Sequence, residues 1–172
     1  RIDDRASIEG AATVNGGLRL ADNVRAESLT TVNGSINVGD DGEISDEVGA
    51  VNGRISLNRG TRVGDDVGNV NGQIGVAGAE VGGDVTTVNG DIELSDGGVV
   101  KGDVVVERPS NWSWGKEKSR KPRIVIGPGC RVEGTIRLER EVELFISESA
   151  QVGGVSGEMT MDDAVRFEGD RP

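Results

Sequence analysis

Four acidic residues recur at nearly one interval and could together bind a cation. They are spaced 19, 18 and 19 residues apart, at Glu47, Asp66, Asp84 and Asp103. If the chain folds into coils stacked about 4.8 Å apart, neighbouring carboxylates in this column repel each other by about 0.9 kcal/mol even in water. Because Ca²⁺ prefers oxygen ligands, the column predicts a calcium site. The structural alternative is that corner Asp residues favour turns by bonding to their own backbone.

A second candidate site is the segment 107–123, ERPSNWSWGKEKSRKPR, which carries both tryptophans of the chain and a local excess of cations. Aromatic rings that alternate with cations can stack on a sugar ring or hold an anionic polymer. The candidate binding residues are Trp112, Trp114, Lys116, Lys118, Arg120 and Lys121. Alternatively, the tryptophans pack on the flank of the fold and the cations offset its acidity.

The composition argues against several catalytic mechanisms. The chain has no His, which excludes the usual mechanism of hexapeptide acyltransferases, His-bound zinc and triads that contain His. Its one cysteine, Cys130, follows the apolar rhythm described below and is predicted to be a small core residue rather than a nucleophile. With two Trp and no Tyr, the chain also lacks the aromatic cleft of a pectin-degrading enzyme. We expect no enzymatic activity and no cofactor.

Charge and hydropathy restrict the partners. The net charge is −11, which argues against nucleic acid because phosphate binding needs Lys and Arg. No apolar run reaches the length of a membrane-spanning segment, so we expect no transmembrane segment in this chain. The length of 172 residues predicts one domain, residues 1–172.

The candidate residues are embedded in a repeat of 18 to 19 residues. The tripeptide Val-Asn-Gly occurs five times, and each copy is followed by alternating apolar residues, as at Ile36 and Val38. This pattern is typical of a strand that follows an Asn-Gly bend. The five asparagines are predicted to stack into a hydrogen-bonded ladder along the fold. They are Asn15, Asn33, Asn52, Asn71 and Asn89.

Within each repeat, aliphatic or small residues recur about every six positions and are predicted to face the core. Before residue 107 they are Val14, Leu20, Ala26, Val32, Val38, Ile44, Val51, Leu57, Val63, Val70, Val76, Val88, Leu94, Val100 and Val106. A second inward position falls four residues later, as at Val48 and Val67. Three such units make one circuit of a solenoid in which each coil is stabilised by its neighbours.

The predicted fold is therefore an all-β, single-stranded, right-handed triangular β-helix of about 7–8 coils, each contributing about 4.8 Å to its length. Coils are expected over residues 8–106 and 124–157, with an insertion loop at 107–123 and a cap at 158–172 that covers the last coil. The apolar second inward position favours the right-handed form. A left-handed hexapeptide β-helix is the alternative.

The motifs "TVNGDIEL", "GGVVKGDVVV" and "IVIGPGCRVEGTIRLEREVELFISESAQVGG" resemble those of the polymer-forming bactofilins over roughly residues 8–157. They are also similar to exported bacterial proteins built from VNG repeats and described as adhesins of unknown function. The resemblance implies a right-handed coil, self-association and a periplasmic or cell-surface location, with a cytoplasmic location as the alternative. Neither family implies catalytic residues.

From these patterns we expect a non-enzymatic scaffold or adhesin-like module of the bacterial envelope. Its expected partners are further copies of itself, end to end or side by side, or a polymer of the cell envelope. The alternative is a carbohydrate- or cation-binding module that uses the tryptophan loop or the acidic column.

Overall fold

The computed structural model describes residues 1–109 and 120–172. Strands account for 55% of the chain and helix for 2%, which confirms the all-β prediction. A short 3-10 helix, Met161–Asp163, precedes the last strand. The strands, in chain order, are β1 (Ser7–Asn15), β2 (Leu18–Leu20), β3 (Arg25–Asn33), β4 (Ile36–Val38), β5 (Glu43–Ile44), β6 (Val48–Asn52), β7 (Ile55–Leu57), β8 (Arg62–Val63), β9 (Val67–Asn71), β10 (Gln73–Ala77), β11 (Glu80–Val81), β12 (Val85–Thr87), β13 (Asp91–Ser95), β14 (Val99–Val100), β15 (Val104–Val106), β16 (Arg123–Ile126), β17 (Arg131–Leu138), β18 (Glu143–Ser147), β19 (Gln151–Gly157) and β20 (Val165–Phe167).

These strands pair in parallel from one turn to the next and form a β-solenoid of about eight turns. One sheet has eight strands, in the order β2-β4-β7-β10-β13-β16-β18-β20, and the other has twelve. The twelve-stranded sheet covers two sides of the turn, because β5 and β6 both pair with the long strand β3. Each regular turn therefore contributes three strand segments, such as β7, β8 and β9. The handedness and the triangular cross-section stay predictions.

The core consists of rows of aliphatic side chains stacked from turn to turn. In one row, Ile36, Ile55 and Ile74 are adjacent in register and have no exposed surface. The second inward positions Val48 and Val67, predicted from the sequence, are equally buried. Each turn thus removes its apolar side chains from water only when the next turn covers them, which makes stability a property of neighbouring turns.

The valines of the Val-Asn-Gly motifs do not face the core, and this part of the prediction was wrong. The exposed fractions are 62% for Val14, 37% for Val32, 39% for Val51 and 37% for Val70, while Val88 is half-buried. The reason is strand alternation. In β3 the side chain of Leu29 points inward, so Thr31 also points inward and Val32 points outward.

The inward place next to each motif valine often belongs to a polar residue that bonds to a corner glycine. Thr31 Oγ1 donates a hydrogen bond to the Gly16 carbonyl (3.2 Å), and Asn69 Nδ2 donates one to the Gly53 carbonyl (2.7 Å). These bonds satisfy backbone groups where the chain leaves the sheet, which explains why polar side chains are tolerated inside. Among the described residues, the Oδ1 atom of Asn69 is buried without a partner.

The glycines of the motifs form a column in which each turn packs directly on the one before. A Cβ atom at Gly34 would overlap the Gly16 carbonyl, and one at Gly53 would overlap the Gly34 carbonyl. Gly53 also has a φ of +153°, which side chains disfavour. The Val-Asn-Gly repeat therefore reflects a corner at which only glycine fits.

The rows continue across the insertion without losing register. Ile92 of β13 pairs with Ile124 of β16, although 32 residues separate them instead of the usual 18 or 19. The ladder also extends into the predicted cap, because β20 pairs with β18. In that segment, Met159 and Met161 pack on the core, whereas Val165 is 54% exposed. Among the residues that the structure describes, no helix has the length and apolar character needed to cross a membrane.

Candidate functional site

Three of the four residues in the acidic column bond to the backbone of the next turn. Asp66 Oδ1 accepts a hydrogen bond from the Asp84 N–H (2.7 Å), and Asp84 Oδ1 accepts one from the Asp103 N–H (2.7 Å). Asp103 Oδ1 accepts the Thr135 N–H (2.8 Å), and its other oxygen pairs with Arg137 Nε at 3.1 Å. The aspartates therefore bond across turns, whereas the sequence suggested that they bond to their own backbone.

The calcium hypothesis finds no support in this geometry. No group of three acidic side chains within residues 1–109 and 120–172 is arranged to hold a metal ion, and this range includes Glu47. The same carboxylate-to-backbone arrangement occurs at another corner, where Asp4 Oδ1 accepts the Asp22 N–H (3.1 Å) and Asp22 Oδ1 accepts the Asp40 N–H (2.8 Å). The 18-residue spacing of these aspartates was a sequence signal that pointed to this role, and it was missed.

The tryptophan segment is described only at its two ends. Trp112, Trp114, Lys116 and Lys118 lie outside the described residues. Arg120 forms an ion pair with Asp91, and Lys121 Nζ lies 2.7 Å from Glu141 Oε2. The hydrogen bond from Lys121 lowers the pKa of the Glu141 carboxyl. These two cations therefore neutralise carboxylates of adjacent turns, as the structural alternative for this segment proposed.

The five motif asparagines form a continuous amide ladder on the surface. Each Nδ2 donates to the Oδ1 of the asparagine one turn earlier, at distances of 3.1, 3.0, 2.9 and 3.1 Å from Asn33 to Asn89. At the far end, Arg140 Nη1 donates to Asn89 Oδ1 (3.0 Å) and to the Val88 carbonyl (3.3 Å). The ladder thus ends where the insertion begins, and a guanidinium takes the place of the next amide.

An uncharged surface lies beside this ladder, and we call it the valine strip. It consists of two outward rows on the side formed by β6, β9 and β12 and the equivalent parts of β1 and β3. One row holds small residues and the other holds the motif valines. The strip comprises Ala12, Thr30, Gly49, Gly68 and Thr86, together with Val14, Val32, Val51, Val70 and Val88. Part of it forms a shallow depression of about 290 Å³.

The neighbouring side of the same sheet has the opposite character. Its outward row alternates in charge from turn to turn through Arg25, Glu43, Arg62 and Glu80. Arg25 Nε lies 2.9 Å from Glu43 Oε2, and Lys101 Nζ lies 2.8 Å from Glu80 Oε1. The valine strip is therefore a local exception in a strongly charged molecule.

From the first residue of the insertion onward, the valine row becomes a row of glutamates. Glu107, Glu139 and Glu158 follow Val88 in register, because their N–H groups bond to Thr87, Val106 and Leu138 respectively. Arg108 joins two of them. Its N–H donates to Glu139 Oε2 (3.1 Å), and its guanidinium donates to Glu158 Oε1 (2.8 Å).

The Cys130 side chain lies in the core, as the sequence predicted. It has no exposed surface, and burial raises the pKa of its thiol. Both effects oppose the formation of an accessible thiolate, which is the reactive form of cysteine. Comparisons of the chain with protein-family models, curated proteins and solved structures gave no match.

Proposed function

We propose that the protein is a non-enzymatic scaffold of the bacterial envelope and that its copies associate side by side through the valine strip. The observation that carries this proposal is the absence of charge from all ten positions of the strip in a chain of net charge −11. Each of the four motif valines from Val14 to Val70 is more than one third exposed. Exposed apolar residues that form a continuous row mark an interaction surface more often than single ones do.

If two copies associate, their charge favours contact through the strip. Molecules with the same large net charge repel each other, and the repulsion is strongest where charged faces meet. Contact through the strip keeps the charged rows of both copies, such as that of Arg25 and Glu43, away from the interface. It also places the apolar row of each copy out of water.

The strip is self-complementary in shape. Its small row contains Gly49 and Gly68, and no atom lies within 4 Å of the space that a Cβ would fill there. A two-fold arrangement would place Val51 and Val70 of each copy over this open row in the other. Because both copies repeat at the same turn spacing of about 4.8 Å, successive valines stay in step along the contact.

The area of the strip predicts weak association. Five turns about 4.8 Å apart and two outward positions about 7 Å apart give roughly 170 Å² per copy, compared with about 800 Å² per partner in a stable interface. We therefore expect dimers at high protein concentration and monomers in dilute solution. Copies concentrated at an envelope surface would gain from the high effective concentration.

Analytical ultracentrifugation over a wide concentration range tests this proposal. The unmodified protein should sediment increasingly as a dimer, and the Val51→Asp/Val70→Asp variant should stay monomeric. The matched control is Ser56→Asp/Gly75→Asp, which adds the same charge at outward positions of the eight-stranded sheet. It should associate nearly as well as the unmodified protein. A strict monomer at all concentrations, or equal loss of association in both variants, would contradict the proposal.

The non-enzymatic part rests on the lack of His and on the buried thiol of Cys130. The envelope location rests on the resemblance to exported VNG-repeat proteins. Cell fractionation of the full-length protein in its source organism checks the location separately. Recovery in the cytosolic fraction would contradict the location without affecting the association experiment.

A further inference from the structure

Each corner motif contains the dipeptide Asn-Gly, which is chemically reactive. The backbone nitrogen of the glycine can attack the side-chain amide carbon of the asparagine, and a glycine hinders this approach less than any other residue. The five motifs have nearly the same local sequence, Val-Asn-Gly. Any difference in their reactivity must therefore come from the fold.

Four of the five glycine N–H groups are engaged in hydrogen bonds. Those of Gly16, Gly34 and Gly53 donate to the asparagine carbonyl one turn later, at 2.9, 2.9 and 3.0 Å. The N–H of Gly90 donates to Thr87 Oγ1 (2.9 Å) within its own corner. These bonds hold each nitrogen in place and must break before it can attack.

Gly72 is the exception, and the strand ends reflect it. The strands β3, β6 and β9 extend to the asparagine of the motif, whereas β12 ends at Thr87, two residues earlier. The Asn89 N–H still donates to the Val70 carbonyl (2.9 Å), as in a continuous ladder. Among the described residues, no acceptor is present for the Gly72 N–H. Asn71 and Gly72 are both exposed to water.

We propose that Asn71 is a site of spontaneous deamidation, and that it reacts faster than the other four motif asparagines in the folded protein. The Gly72 nitrogen forms a bond to Asn71 Cγ, the Cγ–Nδ2 bond breaks, and ammonia leaves with the proton of the Gly72 N–H. Water then opens the resulting succinimide to aspartate or isoaspartate. No oxidant or other cofactor is needed.

The product changes the amide ladder in a defined way. Asn71 loses the Nδ2 donor that bonds to Asn52 Oδ1 (2.9 Å). It keeps an oxygen that can accept from Asn89 Nδ2 (now 3.1 Å). One negative charge is added at the surface, and the isoaspartate form also lengthens the backbone at a corner that is closely packed.

Peptide mapping by mass spectrometry, with detection of isoaspartate, tests this proposal. The folded protein is held at mildly alkaline pH, and the five sites are followed over time. We expect Asn71 to react at least about fivefold faster than Asn33 and Asn52, a factor equivalent to roughly 1 kcal/mol for one backbone hydrogen bond. In denaturant all five sites should react at similar rates.

A second variant tests the role of the glycine N–H directly. Thr87→Val removes the hydroxyl that accepts from Gly90, and valine already occupies the next position in this row at Val106. This variant should raise the rate at Asn89 toward that at Asn71, while its circular dichroism stays unchanged. Equal rates at Asn71, Asn33 and Asn52 in the folded protein would overturn the proposal, as would an unchanged rate at Asn89 in a folded Thr87→Val variant.

Discussion

The turns before the insertion and the turns after it close the same corner with different chemistry. Before residue 107, the corner holds asparagine amides, glycines and outward valines, and its inter-turn contacts there are neutral. After residue 120, the equivalent positions hold Glu139 and Glu158, bridged by Arg108, and Lys121 pairs with Glu141. The backbone ladder and the aliphatic rows run through both regions.

This difference shows that the inward rows and the corner of each repeat have separate structural roles. The inward rows specify the solenoid. Ile92, Ile124 and Leu144 remain stacked in register, although the chain between Ile92 and Ile124 contains the insertion. The corner determines the charge of the outer surface, because the exchange of valines for glutamates replaces an uncharged strip with an ion-paired one. An insertion is tolerated at the corner since it interrupts no inward row.

The largest effect on stability is expected at the glycine column of the turns before the insertion. Gly53→Ala should destabilise the protein by about 3 kcal/mol or more, because the new Cβ overlaps the Gly34 carbonyl and the residue has a φ of +153°. Gly68→Ala, in the next turn, should change stability by less than about 1 kcal/mol, because its Cβ meets nothing within 4 Å. Urea unfolding followed by circular dichroism measures both. Similar losses in the two variants would show that the corner is not closely packed.

A smaller effect is expected at the buried amide of Asn69 in the same region. Asn69→Thr should stabilise the protein by about 1 kcal/mol, because threonine keeps a donor for the Gly53 carbonyl and removes a buried oxygen that has no partner among the described residues. The reverse change, Thr31→Asn, places the same orphan oxygen two turns earlier in the same row and should destabilise. Thermal unfolding measures both. A loss of stability in Asn69→Thr would indicate that the oxygen is satisfied, for example by a buried water.

The smallest effect is expected in the second region and depends on pH. The pKa of Glu141 is lowered by Lys121, so this pair contributes stability above the pKa of the unfolded state, and the contribution is lost as the pH falls through the folded pKa. Lys121→Gln should raise the pKa of Glu141 toward its ordinary value, as measured by NMR titration. It should weaken the protein slightly at neutral pH and not in strong acid. A pKa unaffected by the substitution would show that the ion pair does not form in solution.

Prediction from sequence succeeded where the pattern depends on chain geometry alone. The repeat of 18 to 19 residues, the second inward row with Val48 and Val67, and the burial of Cys130 all follow from strand alternation and apolar residues. The same reasoning misplaced Val32 and Val51 because it assigned direction by residue type. The number of residues in the bend at the corner decides which side chains of the adjoining strand point inward. The local sequence does not reveal that number.

For the candidate sites too, the sequence predicted the stacking of residues but not their bonding partners. The spacing of Asp66, Asp84 and Asp103 indicated stacked carboxylates, and in the structure each accepts a backbone N–H of the next turn, while the described residues show no acidic cluster arranged for a metal ion. No sequence pattern distinguishes these two outcomes, because both need aspartates at the same interval. The distinction depends on where the next turn places its N–H group.

The sequence by itself determined that this chain is a solenoid, because a period near 18 residues with inward Val, Ile and Leu has no other way to bury its apolar side chains. It also determined that glycine and asparagine occupy one corner. Only the tertiary structure decided which valines face water, which carboxylates bond to the backbone and which Asn-Gly nitrogen lacks an acceptor among the described residues. Those properties depend on the register between successive turns, and register is fixed by the packing of the whole stack.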